Sequence, residues 1–138
     1  MSGYLLDTHI WLWVQLGETG KLDPDILEEL ERRQRRRELF ISTISILEIA
    51  RLVALQQYSL TSSIDDFVAE ATTDDGFILC ELSPRILIES TRLPGEFHRD
   101  PSDRILIATA REHNLTLINS DKEILRYAKQ GHLKASRP

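Results

Sequence analysis

Cysteine is almost missing from this chain of 138 residues, in which Cys80 stands alone. A single thiol excludes an internal disulfide framework and a multi-cysteine zinc site. It lies in the apolar run Phe77-Ile78-Leu79-Cys80, where buried packing is expected rather than reactivity. Long apolar runs are missing too. None approaches the roughly 18 residues of a membrane span, and the N-terminus lacks a basic stretch ahead of an apolar one. The expectation is a soluble, cytoplasmic protein without a membrane partner. Internal repeats, low-complexity segments and histidines paired at metal-ligand spacing are absent as well. Positive charge is outweighed, with 17 Lys plus Arg against 22 Asp plus Glu and a net charge of -5. Bulk charge therefore disfavours a nucleic-acid partner, unless carboxylates gathered around a cation reverse the field locally.

What is present is enough apolar material, 41% of residues, to build one core, so residues 1–138 are expected to form a single domain. Tyr4-Leu5-Leu6 reads as a buried strand that stops at Asp7, where Asp7 or Thr8 caps an aromatic helix from Ile10 to Leu16. Trp11 and Trp13 are assigned to packing. Gly17 to Leu22 resembles a phosphate-binding loop only faintly, since the spacing is short and no Ser or Thr follows Lys21; it is read as a solvent loop. Asp23-Pro24 opens a second helix with Ile26, Leu27 and Leu30 on one face, ending in the arginine-rich run Arg32 to Arg37. That run is either a solvated helix end or a phosphate contact.

Leu39-Phe40-Ile41 is a short strand closed by Ser42 and Thr43, before a helix from about Ser45 to Leu55 that is apolar around most of its circumference and expected to be largely buried. Glu48 falls in the first turn of that expected helix, and Ser45 with Glu48 matches a capping box, the ordinary explanation for such a glutamate. Ile64, Phe67, Val68 and Ala71 mark an amphipathic helix, Phe77 to Leu82 a third strand, and Pro84 the start of a helix ended by Pro94-Gly95. The polar stretch Glu96 to Arg104 follows, with Asp100 before Pro101 as a helix cap and Asp103 in the first turn. Leu115 to Ile118 is a fourth strand. Ser120 and Glu123 match a second capping box, and Leu133 to Ala135 is a candidate edge strand.

Strands alternating with helices imply right-handed βαβ units and a mainly parallel sheet covered on both faces. Every strand then ends at one edge of the sheet, which is where ligands bind in such folds. Asp7 and Asp121 follow strands, while Glu48 and Asp103 lie in the first turns of expected helices, so all four acids are placed at that edge. Each has a local explanation as a helix-start residue. Together they require a compensating cation, because neighbouring carboxylates raise one another's pKa. Oxygen-seeking Mg2+ or Mn2+ is the candidate, and phosphodiester hydrolysis is the chemistry such a site suits.

Leu5-Leu6-Asp7-Thr8-His9, Ser45-Ile46-Leu47-Glu48-Ile49, His98 to Ala108 and Leu117-Ile118-Asn119-Ser120-Asp121 together resemble a PIN domain, and within that family the VapC-type toxins. The resemblance spans nearly the whole chain. It implies a three-layer α/β/α sandwich with a parallel sheet of four or five strands, and a Mg2+- or Mn2+-dependent ribonuclease neutralised by a cognate antitoxin protein and forming homodimers. It also places Asp7, Glu48, Asp103 and Asp121 on the family's four acidic positions, with Thr8 supporting them. Family members often carry Thr where this chain has Asn119. Asp100 is read first as a cap and in reserve as a ligand, Arg99 is a candidate RNA contact, Arg104 either contacts a phosphate or acidic partner or forms a structural salt bridge, and His9 and His98 are assigned to surface or packing. Two other functions are weighed. In a non-catalytic PIN-like module that binds RNA or protein, the acids are inert caps. A receiver-like phosphorylation switch would need an Asp ending a middle strand, where Ile41-Ser42-Thr43 supplies none.

Overall fold

The computed structural model describes residues 3–18, 20–97 and 100–138. His98 and Arg99, singled out above, and Thr19 of the loop after the first helix lie outside the described residues. In chain order the elements are β1 (Tyr4–Leu6), α1 (Thr8–Leu16), α2 (Pro24–Arg35), β2 (Leu39–Ser42), α3 (Thr43–Ala54) and α4 (Ile64–Ala71). There follow β3 (Ile78–Cys80), α5 (Pro84–Ser90), α6 (Pro101–His113), β4 (Thr116–Ile118), α7 (Lys122–Lys129) and β5 (Ala135–Ser136). The five strands form one sheet in the order β3-β2-β1-β4-β5, and all four pairings are parallel. This is the expected α/β/α sandwich.

Alternation along the strands distributes the core. Leu5 and Leu117 face one side, packing with Ile86 of α5, Leu106 and Ile107 of α6, and Ile124 and Tyr127 of α7. Leu6, Leu39, Ile41 and Ile118 face the other side, against Trp11 of α1, Leu30 of α2, Ile49 of α3 and Phe67 of α4. Trp11 has no exposed surface, meets the Phe67 ring at 5.5 Å and donates its indole N–H to Gln15 at 2.7 Å, as its assignment to packing requires. Full burial of each such large apolar side chain contributes on the order of 1.5–3 kcal/mol.

Several boundaries differ from the sequence expectation for physical reasons. The cap of α3 is Ser42, whose hydroxyl accepts from the Ile44 N–H at 3.1 Å, so the helix starts at Thr43 and Ser45 lies inside it. Its burial is confined to Ile44, Ser45 and Ile49, with Leu47 at the surface, rather than extending around the helix. α5 ends at Ser90, ahead of Pro94-Gly95. The hydroxyls of Ser90 and Thr91 donate to the Leu87 and Ile88 carbonyls, competing with continuation of the helix. The edge strand is Ala135–Ser136, shifted from the expected Leu133 to Ala135.

Candidate active site

The topology brings the acids to one edge. β1 ends at Leu6, and Asp7 is the N-cap of α1, its Oδ1 accepting from the Thr8 N–H at 2.7 Å. Its own N–H donates to the carbonyl of Ile118, the last residue of β4, at 3.0 Å, so Asp7, at the end of the central strand, is tied to the end of its neighbour. Thr8, 2% exposed, points its hydroxyl into α3, reaching Glu48 Oε1 at 2.6 Å and Ser45 Oγ at 2.8 Å. A hydroxyl carries one proton, and the carboxylate is the stronger acceptor. Thr8 therefore donates to Glu48, and Ser45 donates to Thr8.

This arrangement removes the ordinary explanation for Glu48. With α3 starting at Thr43, Glu48 sits beyond the first turn, and the capping box between Ser45 and Glu48 does not form. Instead Glu48 is half-buried, and its carboxyl lies above the usual range. Burial is the main cause; the hydrogen bond from Thr8 opposes it, and the charges of Asp7 and Asp100 push the same way as burial. Glu48 thus feels two other carboxylates of the same edge.

α6 runs back toward the start of β4, which places its N-terminus at this edge. Its cap is Asp100, as expected, accepting from the Asp103 N–H at 3.0 Å. Asp103 occupies the first turn and is not the cap. After β4, Asn119 is fully buried: its side-chain N–H donates to the Leu117 carbonyl at 3.1 Å and its Oδ1 accepts from the Asp121 N–H at 2.9 Å. The amide thus fixes the turn that presents Asp121. Asp121, not Ser120, caps α7, accepting from the Glu123 N–H at 2.8 Å, so the second capping box is also absent. Among the described residues no three His, Cys, Asp or Glu side chains close on one point as a ready-made ion cage.

The cationic candidates separate. Arg104 reaches inward, donating to the carbonyls of Ser90 and Phe97, so it secures the segment between α5 and α6. The arginine run at the end of α2 lies just before β2 starts, at the opposite edge of the sheet from the acids. Arg32 pairs with Glu28 and Glu29, Arg33 with Glu29 and Glu38, and Arg37 donates to the Gly76 carbonyl. The run therefore lies at the other end of the strands from the acids, with Arg32, Arg33 and Arg37 engaged locally. His9 is exposed, its ring 6.1 Å from that of Trp13, and its charge draws the Glu48 carboxyl down. Cys80 is buried and its thiol is pushed up to about 11 by burial, which leaves it protonated and unreactive at neutral pH.

One supporting residue escapes the local pattern for an identifiable reason. The sequence puts Ser45 at a cap, whereas in the fold it is a buried support for Thr8. Ser42 and Ser45 both precede the apolar stretch, and only the strand register, with Ser42 paired to Cys80, decides between them.

A layered α/β sandwich with acids at the carboxyl edge of a parallel sheet defines a class, and the sequence falls within it: the chain belongs to the PIN domain family, whose model matches residues 4–130. Among individual proteins it is similar to Ribonuclease VapC22 of Mycobacterium tuberculosis, 26% identical over 124 residues, covering 90% of this chain and 91% of the relative. Solved structures agree in fold. VapBC2 from Rickettsia felis, bound to a DNA fragment from their promoter, superposes with a TM-score of 0.69 at 14% identity, covering 97% of each chain. FitAcB from Neisseria gonorrhoeae gives 0.64 at 18% identity, covering 98% of this chain and 97% of its own. A toxin-antitoxin complex from Klebsiella pneumoniae gives 0.60 at 22%, covering 88% and 90%.

Proposed function

We propose that the chain is a single-domain, metal-dependent endoribonuclease acting as the toxin of a toxin-antitoxin pair. The observation that carries this reading is that capping accounts for only two of the four acids. Asp7 and Asp121 are helix caps, whereas Ser42 and Asp100 hold the cap positions of α3 and α6. Glu48 is instead half-buried and under pressure from the charges of Asp7 and Asp100. Such an arrangement costs stability in isolation and is the environment a bound cation relieves. The similarity to Ribonuclease VapC22 and to toxin-antitoxin complexes points the same way.

The donor set is oxygen only, which fits Mg2+ or Mn2+. Asp7, Glu48, Asp103 and Asp121 would hold the ion, with Asp100 in reserve. When bound, it supplies a water of lowered pKa and neutralises charge on the phosphoryl oxygens. The protein's own residues set the stage. Thr8, clamped by Ser45, fixes the Glu48 carboxylate, whose raised affinity for a proton suits it to take one from an attacking water. Asn119 holds the backbone of Asp121 so that its carboxylate stays at the edge. Side chains that support ligands typically tune activity by about 10–100-fold.

No helix among the described residues is long and apolar enough to cross a membrane, and we assign the chain to the cytoplasm with an antitoxin protein as partner. The exposed Leu47 and Leu55 of the α3 region and Leu87 and Ile88 of α5 are the apolar surfaces we assign to association, including a homodimer.

The test is cleavage of labelled RNA by the purified chain. Wild type should cut with Mg2+ or Mn2+ and not in EDTA, and Asp7→Asn should lose at least about 100-fold. Equal cleavage by both proteins would refute the reading. The competing module, with acids as inert caps, is favoured by the genuine caps at Asp7 and Asp121, and it predicts no divalent-dependent cleavage at all.

A further inference from the structure

The positive charge of the chain is segregated. From Thr116 to the C-terminus there are five cationic side chains and two acids, while the rest of the chain carries twelve and twenty. All five, Lys122, Arg126, Lys129, Lys134 and Arg137, line one open groove of about 770 Å³ between α7 and the edge strand β5. Lys122, Arg126 and Lys129 are spaced four and three residues apart on one face of α7, and Lys134 and Arg137 flank β5 opposite them. Among the described residues no carboxylate lines the groove. Arg126 pairs with Glu123 at 3.1 Å, but both side chains are half or more exposed, so the pair is weak and readily exchanged.

The groove also has a direction. Lys122 directly follows Asp121, and Arg137 follows the strand whose Ser136 carbonyl accepts from the Asn119 N–H at 3.0 Å. One mouth therefore opens beside the acidic edge. From there the helix carries its cations about 10 Å along its axis to Lys129, roughly three nucleotides at the 3.4 Å rise of a stacked strand. None of the exposed large apolar side chains, Leu16, Leu47, Leu55, Leu87 and Ile88, lines it. A peptide partner would use such an anchor. A sugar-phosphate backbone needs only the cations.

We propose that this groove is the track for the backbone of single-stranded RNA leading to the acidic edge, holding phosphates on Lys122, Arg126 and Lys129 irrespective of base sequence. The proposal rests on the ribonuclease reading of that edge. It explains how a chain of net charge -5 approaches a polyanion: where the strand passes, cations outnumber acids five to two, against an excess of acids in the rest of the chain.

The test is fluorescence anisotropy with a labelled, mixed-sequence 12-nucleotide RNA and the full chain, in EDTA, over a series of salt concentrations. Lys122→Gln/Arg126→Gln/Lys129→Gln should weaken binding about 10-fold or more and flatten the slope of log affinity against log salt by about 2, near 0.7 for each phosphate no longer neutralised. Arg35→Gln/Arg36→Gln, at the opposite sheet edge, should leave both unchanged. The single change Lys129→Gln, at an exposed position, should flatten the slope by about 0.7 and keeps the test decisive if the triple variant does not fold. Unchanged affinity and slope in the folded groove variants would overturn the proposal. So would an equal loss in the Arg35/Arg36 variant, or displacement of the RNA by a 12-residue poly-glutamate as effective as unlabelled RNA. Binding in EDTA involves no cleavage, so failure of the nuclease reading would appear as inactivity with the groove still binding RNA.

Discussion

At the carboxyl edge of the sheet the protein holds like charges near one another, and at the amino edge it pairs opposite ones. Arg33 lies 3.9 Å over the Tyr4 ring and bridges to Glu29 and Glu38, while Arg32 draws the Glu29 carboxyl below its usual range. At the other end of the same strands Glu48 is pushed up by burial and by Asp7 and Asp100. At the amino edge Arg32, Arg33 and Arg37 are engaged by neighbouring carboxylates and a carbonyl and support the fold. At the carboxyl edge it is burial, with the charges of Asp7 and Asp100, that sets Glu48 apart, and this is the feature the proposed cation site would use.

Substituting Glu48 sharpens the contrast most. Glu48→Gln should lower RNA cleavage about 100-fold, yet in EDTA at neutral pH it should raise the melting temperature, because a neutral amide escapes both burial of charge and repulsion. A gain of about 1 kcal/mol corresponds to roughly 3–5 °C for a chain of this size. The sign with pH follows from the upward shift. A carboxyl raised in the folded state gives its full stability contribution below its unfolded pKa and loses it as pH rises through the folded value. The gap between Glu48→Gln and wild type should therefore widen from acid to neutral pH, as thermal melts in EDTA at several pH values would show. A constant or reversed gap would mean that Glu48 is stabilising where it stands.

Thr8→Val comes next. It keeps the shape but strips the donor from half-buried Glu48 and the acceptor from fully buried Ser45. The expected cost is about 1–3 kcal/mol in urea unfolding, together with a loss of cleavage that Thr8→Ser restores. Loss of cleavage without rescue by serine would assign Thr8 to packing alone.

Arg33→Gln, at the amino edge, is the smallest of the three. Its two partly buried ion pairs and its cation-π contact are together worth about 1–2 kcal/mol. Stability should fall by no more than that and RNA cleavage should not change. A cleavage defect there would erase the distinction between the edges.

The distinction itself is only half legible in the sequence. Hydrophobic alternation and helix-start residues place Asp7 and Asp121 after strands, and the parallel topology follows from the order of elements. The link from Thr8 to Glu48 joins residues 40 positions apart that folding brings together, and no local pattern encodes it; Asn119 bonds only its near neighbours, but its full burial depends on the folded sheet. Ser45 shows the same limit in miniature. Two serines three residues apart can each start a helix, and pairing of β2 with β3 selects Ser42. The arginine run at the end of α2 is conspicuous in sequence and is partly tied up in local ion pairs, whereas the cations of α7 and β5 become a groove only once an edge strand meets a helix.

The most direct measurement is a Mn2+ titration followed by thermal unfolding of wild type and Asp7→Asn side by side. A ligand that binds only the folded state raises the midpoint by mass action, by about 2.7 kcal/mol at a hundredfold excess over its dissociation constant. A cation site at the carboxyl edge predicts a concentration-dependent rise in wild type at millimolar Mn2+ that Asp7→Asn greatly reduces. No rise in wild type, or the same rise in both, would contradict such a site.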